Sequence, residues 1–230
     1  MDHERAEHLR KNLTGVCMIL TPLCFLAGDA LWPVTHTKAA DVLADASGNT
    51  GRLAAGMVFS MIGFALMVGA IIGLAHMLHE RRPVTAMVGG AMGLVGLLSV
   101  TAIVAVGGGV VYEAARGGQD TAAATRLVDS VLTGPVMIFG PITELLSLGM
   151  IVLAVGLARS RVVAMWSAVC LGVAAVGLGV FNPLAIKPLI LLSEAVLLVA
   201  LAPIGWMVMS ESDVEWAETP EFHGFRPTMG

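Results

Sequence analysis

Two carboxylates interrupt stretches that would otherwise be uniformly apolar. Glu144 lies in residues 131–161, VLTGPVMIFGPITELLSLGMIVLAVGLARSR, and Glu194 lies in residues 184–209. A charged side chain at a bilayer centre costs roughly 2.5–3.5 kcal/mol on insertion scales, so each acid needs a partner, a proton or a water-filled cavity. The chemistry on offer is proton or cation handling, since an acid held in an apolar surround can load a proton and release it again. Glu144 is ten residues beyond Gly134 and Glu194 ten beyond Leu184. At about 1.5 Å per residue both are expected roughly 15 Å deep, at one level near the midplane. Lys187 shares a helix face with Glu194 but lies about 10 Å from it along the axis. It is therefore expected to line the outer approach or reach a neighbouring helix.

Prolines accompany both acids: Pro135 and Pro141 with Glu144, Pro188 and Pro203 with Glu194. A proline within a helix removes one hydrogen bond and frees a carbonyl about a turn earlier, a device that carriers use to build ion sites. The plainer alternative is that the acids are protonated and bonded to Ser147, Ser193, Thr21 or a freed carbonyl, as interhelical glue worth about 1 kcal/mol. Asp29, beside Trp32 and His36, reads as an interfacial residue. His76 and His79 have the spacing to share one metal from one helix face, but no third ligand or C-x-x-C stands nearby. They read as interface histidines, and no metal or cofactor is expected.

The elements that would position these residues are set by composition. The chain has 230 residues, 57% hydrophobic and 13% charged, against about 25% charged in soluble domains. Aromatics make up only 5%, which argues against an aromatic-lined cavity for a carbocation or quaternary amine. The net charge of −4 equals that of residues 210–230, where Glu211, Asp213, Glu215, Glu218 and Glu221 outnumber Arg226. With the rest of the chain neutral, nucleic acid is excluded as a partner. Cys17, Cys24 and Cys170 sit in apolar runs and suggest no disulfide framework.

Six apolar runs are each long enough to cross a ~30 Å hydrocarbon core: 13–31, 53–78, 84–112, 131–161, 162–181 and 184–209. The fold class expected is all-α, a polytopic bundle of six spans. Residues 1–11 form a cytoplasmic juxtamembrane segment without signal-peptide features, 12–209 the membrane domain, and 210–230 an acidic cytoplasmic tail. The short arginine-bearing loops at 79–83 and 158–161 place both termini inside by the positive-inside rule. Gly69-x-x-x-Gly73 and Gly89-x-x-x-Gly93 suggest close packing of spans 2 and 3, or else a face for a second copy of the chain. Residues 18–23 faintly echo 137–142, an echo best put down to chance.

The long first outer loop ending in Gly51-Arg52-Leu53, the segment Leu74 to Arg82 and the Gly89-Gly90 start of span 3 carry a resemblance over residues 12–205. In these features the chain resembles uncharacterised bacterial six-helix integral membrane proteins, which implies a bacterial inner-membrane location and no particular activity.

No phosphate-binding loop, H-E-x-x-H or G-x-S-x-G is present, so no catalytic residue is assigned and an enzyme is the less favoured class. The leading expectation is proton- or cation-linked transport of a small solute within the lipid bilayer, using Glu144, Glu194 and Lys187. Alternatives are a structural or regulatory subunit whose acidic tail binds a partner, and an enzyme embedded in the membrane and acting on a lipid-like substrate.

Overall fold

The computed structural model describes residues 3–34, 36–117 and 120–210. Within them the chain is all-α: α1 (His3–Leu31), α2 (Ala39–Ser47), α3 (Thr50–Leu78), α4 (Pro83–Arg116), α5 (Thr121–Leu132), α6 (Gly140–Ser160), α7 (Met165–Phe181) and α8 (Lys187–Ser210), with a 3₁₀ turn over Pro135–Phe139. Residues 1–11 do not form a separate element, because α1 is continuous from His3. The acidic tail from residue 211 lies outside the described residues.

Five helical stretches are long and apolar enough to cross a membrane: His8–Leu31, Thr50–Leu78, Pro83–Arg116, Thr121–Ser160 with its breaks, and Lys187–Ser210. The apolar helix α7 is shorter, at 17 residues. Large apolar side chains such as Val58, Ile72, Leu98, Val173 and Trp206 point outward. A surface of this kind is stable against lipid and unfavourable in water.

The six longest helices close into a ring, α1 against α3, α3 against α4, α4 against α6, α6 against α7, α7 against α8, and α8 back on α1. One end of the ring carries Arg81, Arg82, Arg159 and Arg161. Towards this arginine end the interior is filled by Met18, Ile71, Leu74, Leu78, Leu153, Leu157, Leu171, Leu197 and Leu201, all buried. Towards the other end a second cluster forms over α4. At 34 residues, about 50 Å, α4 exceeds a bilayer core, and its last turns hold α2 and α5 through Val111, Ala114, Val42, Leu43, Ala124 and Val128. The amphipathic helix over 39–47 escapes the polar-loop expectation because its apolar positions, Ala39, Val42, Leu43 and Ala46, form one short stripe.

Three expectations need correction. Residues 131–161 are not one kinked helix. Pro135 and Pro141 each stand in the first turn of a new element, where a missing N–H costs nothing. Glu144 therefore lies about one turn into α6, whereas Glu194 lies about two turns into α8, and the two are not equivalent in depth from their helix starts. The two echoing segments also differ in structure, since Pro22 is inside α1 while Pro141 opens α6, in keeping with an echo put down to chance. α3 and α4 pack together as expected, with Gly93 against Ile71 of α3, but the other three glycines of the two pairs face different helices. A β-carbon on Gly69 or Gly73 would strike Cys17 or Thr14 of α1, and one on Gly89 would strike Leu153 and the Gly149 carbonyl of α6.

The tightest of these approaches is at Gly96, where a β-carbon would land on the backbone of Leu145 and Leu146. Gly96→Ala is expected to lower stability by about 1–3 kcal/mol. Gly109→Ala, with nothing near its β-carbon, is expected to leave stability unchanged or raise it by up to about 1 kcal/mol. Thermal unfolding of the two variants in one detergent checks the contrast.

Candidate functional site

At the end of the ring opposite the arginines the interior is hollow. A cavity of about 390 Å³ opens there, and each of the six long helices lines it. Phe25 and Asp29 come from α1, Ser60 and Phe64 from α3, Val100 and Val104 from α4, Glu144 and Ser147 from α6, Leu178 and Gly179 from α7, and Lys187, Ile190 and Glu194 from α8. Trp32, Val34 and His36, in the segment between α1 and α2, form part of the rim. All three residues singled out as a site, Glu144, Glu194 and Lys187, thus face one space. They do so although α6 and α8 are not packed as neighbours, since α7 stands between them.

Asp29 is the addition that sequence reasoning placed at the interface. Its carboxyl group hydrogen-bonds with that of Glu194 across the α1–α8 contact. A hydrogen bond between two carboxyl groups requires a proton on one of them, because two adjacent carboxylates repel. Glu194 is 3% exposed, and its Oε2 has no hydrogen-bond partner. The hydroxyls expected to serve it are engaged elsewhere: Ser193 donates to the Leu189 carbonyl and Thr21 to the Cys17 carbonyl. Both bonds are intrahelical, made one turn back along the same helix. A partnerless buried acceptor costs about 1–3 kcal/mol, so it marks a place where stability has been given up.

Lys187 reaches across to α1, where Nζ donates to the carbonyls of Trp32 and Ala30. Arg52 also donates to the Ala30 carbonyl, at 3.4 Å. Two cations thus sit on the carbonyl end of α1, which carries the negative pole of the helix dipole. Lys187 is held there by its own loop. Ala185 has φ 52°. The amide of Ile186 donates to the Phe181 carbonyl and that of Ala185 to the Asn182 carbonyl. This is a Schellman closure with alanine where glycine is usual, at a cost of about 1–2 kcal/mol for the left-handed residue.

Glu144 is half-buried on the opposite wall and makes no hydrogen bond or ion pair with a described residue. Its Oε2 and Ser147 Oγ lie close to Gly179, where a β-carbon would come within 3.1 Å and 2.9 Å of them. Glycine on α7 therefore makes the room that the Glu144 carboxylate occupies. Phe25 and Phe64 stack at a 58° tilt with ring centres 5.2 Å apart. With Trp32 they give this cavity an aromatic side that overall composition argued against. Among the described residues no group of three His, Cys, Asp or Glu is placed to hold a metal.

At the rim, His36 Nδ1 pairs with Asp45 Oδ2 at 2.9 Å, tying the segment before α2 to that helix. The hydrogen bond and charge of Asp45, helped by Asp41, hold the imidazole's pKa above its ordinary 6.5. A raised histidine pKa stabilises the fold fully below the unfolded value and loses that effect as pH climbs through the folded one. The melting-temperature difference between the wild type and His36→Gln is expected to be largest near pH 5.5 and to shrink on going to pH 9. A difference constant with pH would contradict the pairing. No protein-family model, curated protein or solved structure matches this chain at a significant level.

Proposed function

We propose that the protein is a proton-linked carrier of small solutes. In this reading it has six spans and both termini in the cytoplasm of a bacterial cell, and the cavity opens to the outer face. One observation carries the reading: a hollow lined by all six long helices, with a partnerless buried oxygen of Glu194 at its wall. The packed leucine core lies beneath it, towards the arginine end. A bundle hollow in one half and solid in the other is what alternating access requires of a single resting state. The arginine-rich short loops support the orientation. The alanine, glycine and valine bias of the sequence supports a bacterial source.

Each role rests on geometry. Asp29 and Glu194 hold one proton between α1 and α8, so its loss or gain acts on the contact between two helices. Pro22 and Pro203 lie inside these same helices, each removing a backbone hydrogen bond and making a bend there cheaper. Lys187 ties the outer end of α8, and Arg52 that of α3, to the carbonyls at the end of α1 while the pair holds its proton. Glu144, on the far wall, faces the solute. A structural or regulatory subunit would have no use for the hollow, and its resting stability would gain from filling it.

The test is proton flux in proteoliposomes containing a pH-sensitive dye, challenged with cationic, neutral and anionic solutes in turn. At least one class is expected to collapse an imposed pH gradient, and Glu194→Gln or Asp29→Asn to slow that collapse about tenfold or more. If no class moves protons, the carrier reading is wrong.

A further inference from the structure

We infer that the cavity takes a small monovalent organic cation, an amine with a mostly apolar body, and that Glu144 is its counterion. The inference rests on the carrier reading for the transport step, but the binding is measurable by itself.

The charge inventory selects the class. The titratable groups lining the space are Asp29 from α1, Glu144 from α6, Lys187 and Glu194 from α8, and His36 on the rim, which is paired with Asp45. Arg52 of α3 is exposed behind Lys187, bonded to the Ala30 carbonyl, and does not line it. Neither α4 nor α7 contributes one, offering only Val100, Val104, Leu178 and Gly179. With the one proton that a carboxyl–carboxyl contact needs, Asp29 and Glu194 carry one negative charge between them, offset by Lys187 on the same lining. The charge of Glu144 is left over. An anion would add to it, and a neutral solute would leave it uncompensated in an apolar wall. A cation balances it.

A second, independent feature points to a ligand. Glu194, 3% exposed, lines this space and has one buried carboxyl oxygen without a hydrogen-bond partner. An ammonium group that donates hydrogen bonds can satisfy it. The lining suits an amine better than a metal ion. Phe25, Phe64 and Trp32 line the space, and aromatic rings attract a weakly hydrated organic cation, whereas a metal ion would need several oxygen ligands converging on one point. The size also fits, since about 390 Å³ lies in the range of small-ligand pockets, roughly 300–1,000 Å³.

The probe is benzylammonium, compared with benzamide and benzoate, which share its ring but are neutral and anionic. Binding to the full-length protein in nanodiscs is followed by calorimetry. Benzylammonium is expected to bind, and the other two to bind at least roughly tenfold more weakly. Glu144→Gln should weaken the cation by roughly tenfold or more, and Glu144→Asp should keep most of the affinity. Equal binding of the three probes, or a cation affinity untouched in Glu144→Gln, overturns the inference. The proton-flux assay separates it from the carrier reading. Glu144-dependent binding without proton movement keeps the amine site and sinks the carrier. Proton flux driven only by benzamide or benzoate keeps the carrier and sinks the amine.

Discussion

The contact between Asp29 and Glu194 is what the rest of the structure has to accommodate. Two carboxyl groups brought together inside a helix bundle are a poor source of stability. Their desolvation is costly, and apolar residues of similar volume would often do as well or better. Holding them requires α1 and α8 to be close along their length. At the arginine end this is achieved by Gly15 and Gly205, whose backbones meet so closely that a β-carbon on either would strike the other's carbonyl. At the opposite end Lys187 bridges to the last carbonyls of α1. Between these two anchors the acids are pressed together, and the strained Ala185 turn is the local cost of starting α8 where Lys187 can reach.

The remaining architecture keeps this contact beside an open space. Leucine and isoleucine fill the ring towards the arginine end to the density of an ordinary interior. Around Phe64 and Leu146 the packed interior gives way to the cavity, whose lining mixes Phe25, Trp32 and Ile190 with Asp29, Glu144, Ser147 and Glu194. The α2 and α5 helices, with Leu53, Val111 and Val128 between them, brace the far ends of α3 and α4 around that opening. Stability is thus concentrated in one half of the bundle and chemistry in the other. This division lets an acid remain without a partner in a protein that still folds.

Much of this is legible in the sequence, for specific physical reasons. Long apolar runs announce helices suited to a bilayer, and the acids within them stand out because a charge there is expensive. The details that escape it depend on contacts between distant residues. Asp29 lies one turn from a helix end and has the local signature of an interfacial residue; only the crossing of α1 and α8 turns it towards Glu194. The glycine spacings correctly signal close approach, yet spacing carries no information about which helix approaches. Pro135 and Pro141 could kink a helix or open a new one, and the sequence pattern alone does not distinguish these. Composition also misleads on aromatics. A low average says nothing about three rings gathered at one cavity.

The proton that the Asp29–Glu194 contact demands is the central claim. Infrared spectroscopy of the protein in lipid at neutral pH, with carboxyl bands assigned by exchange into heavy water, tests it directly. The wild type is predicted to show a protonated-carboxyl band that disappears in Asp29→Asn and in Glu194→Gln and survives in Glu144→Gln. A spectrum with no protonated carboxyl at neutral pH, or a band that only Glu144→Gln removes, would contradict it.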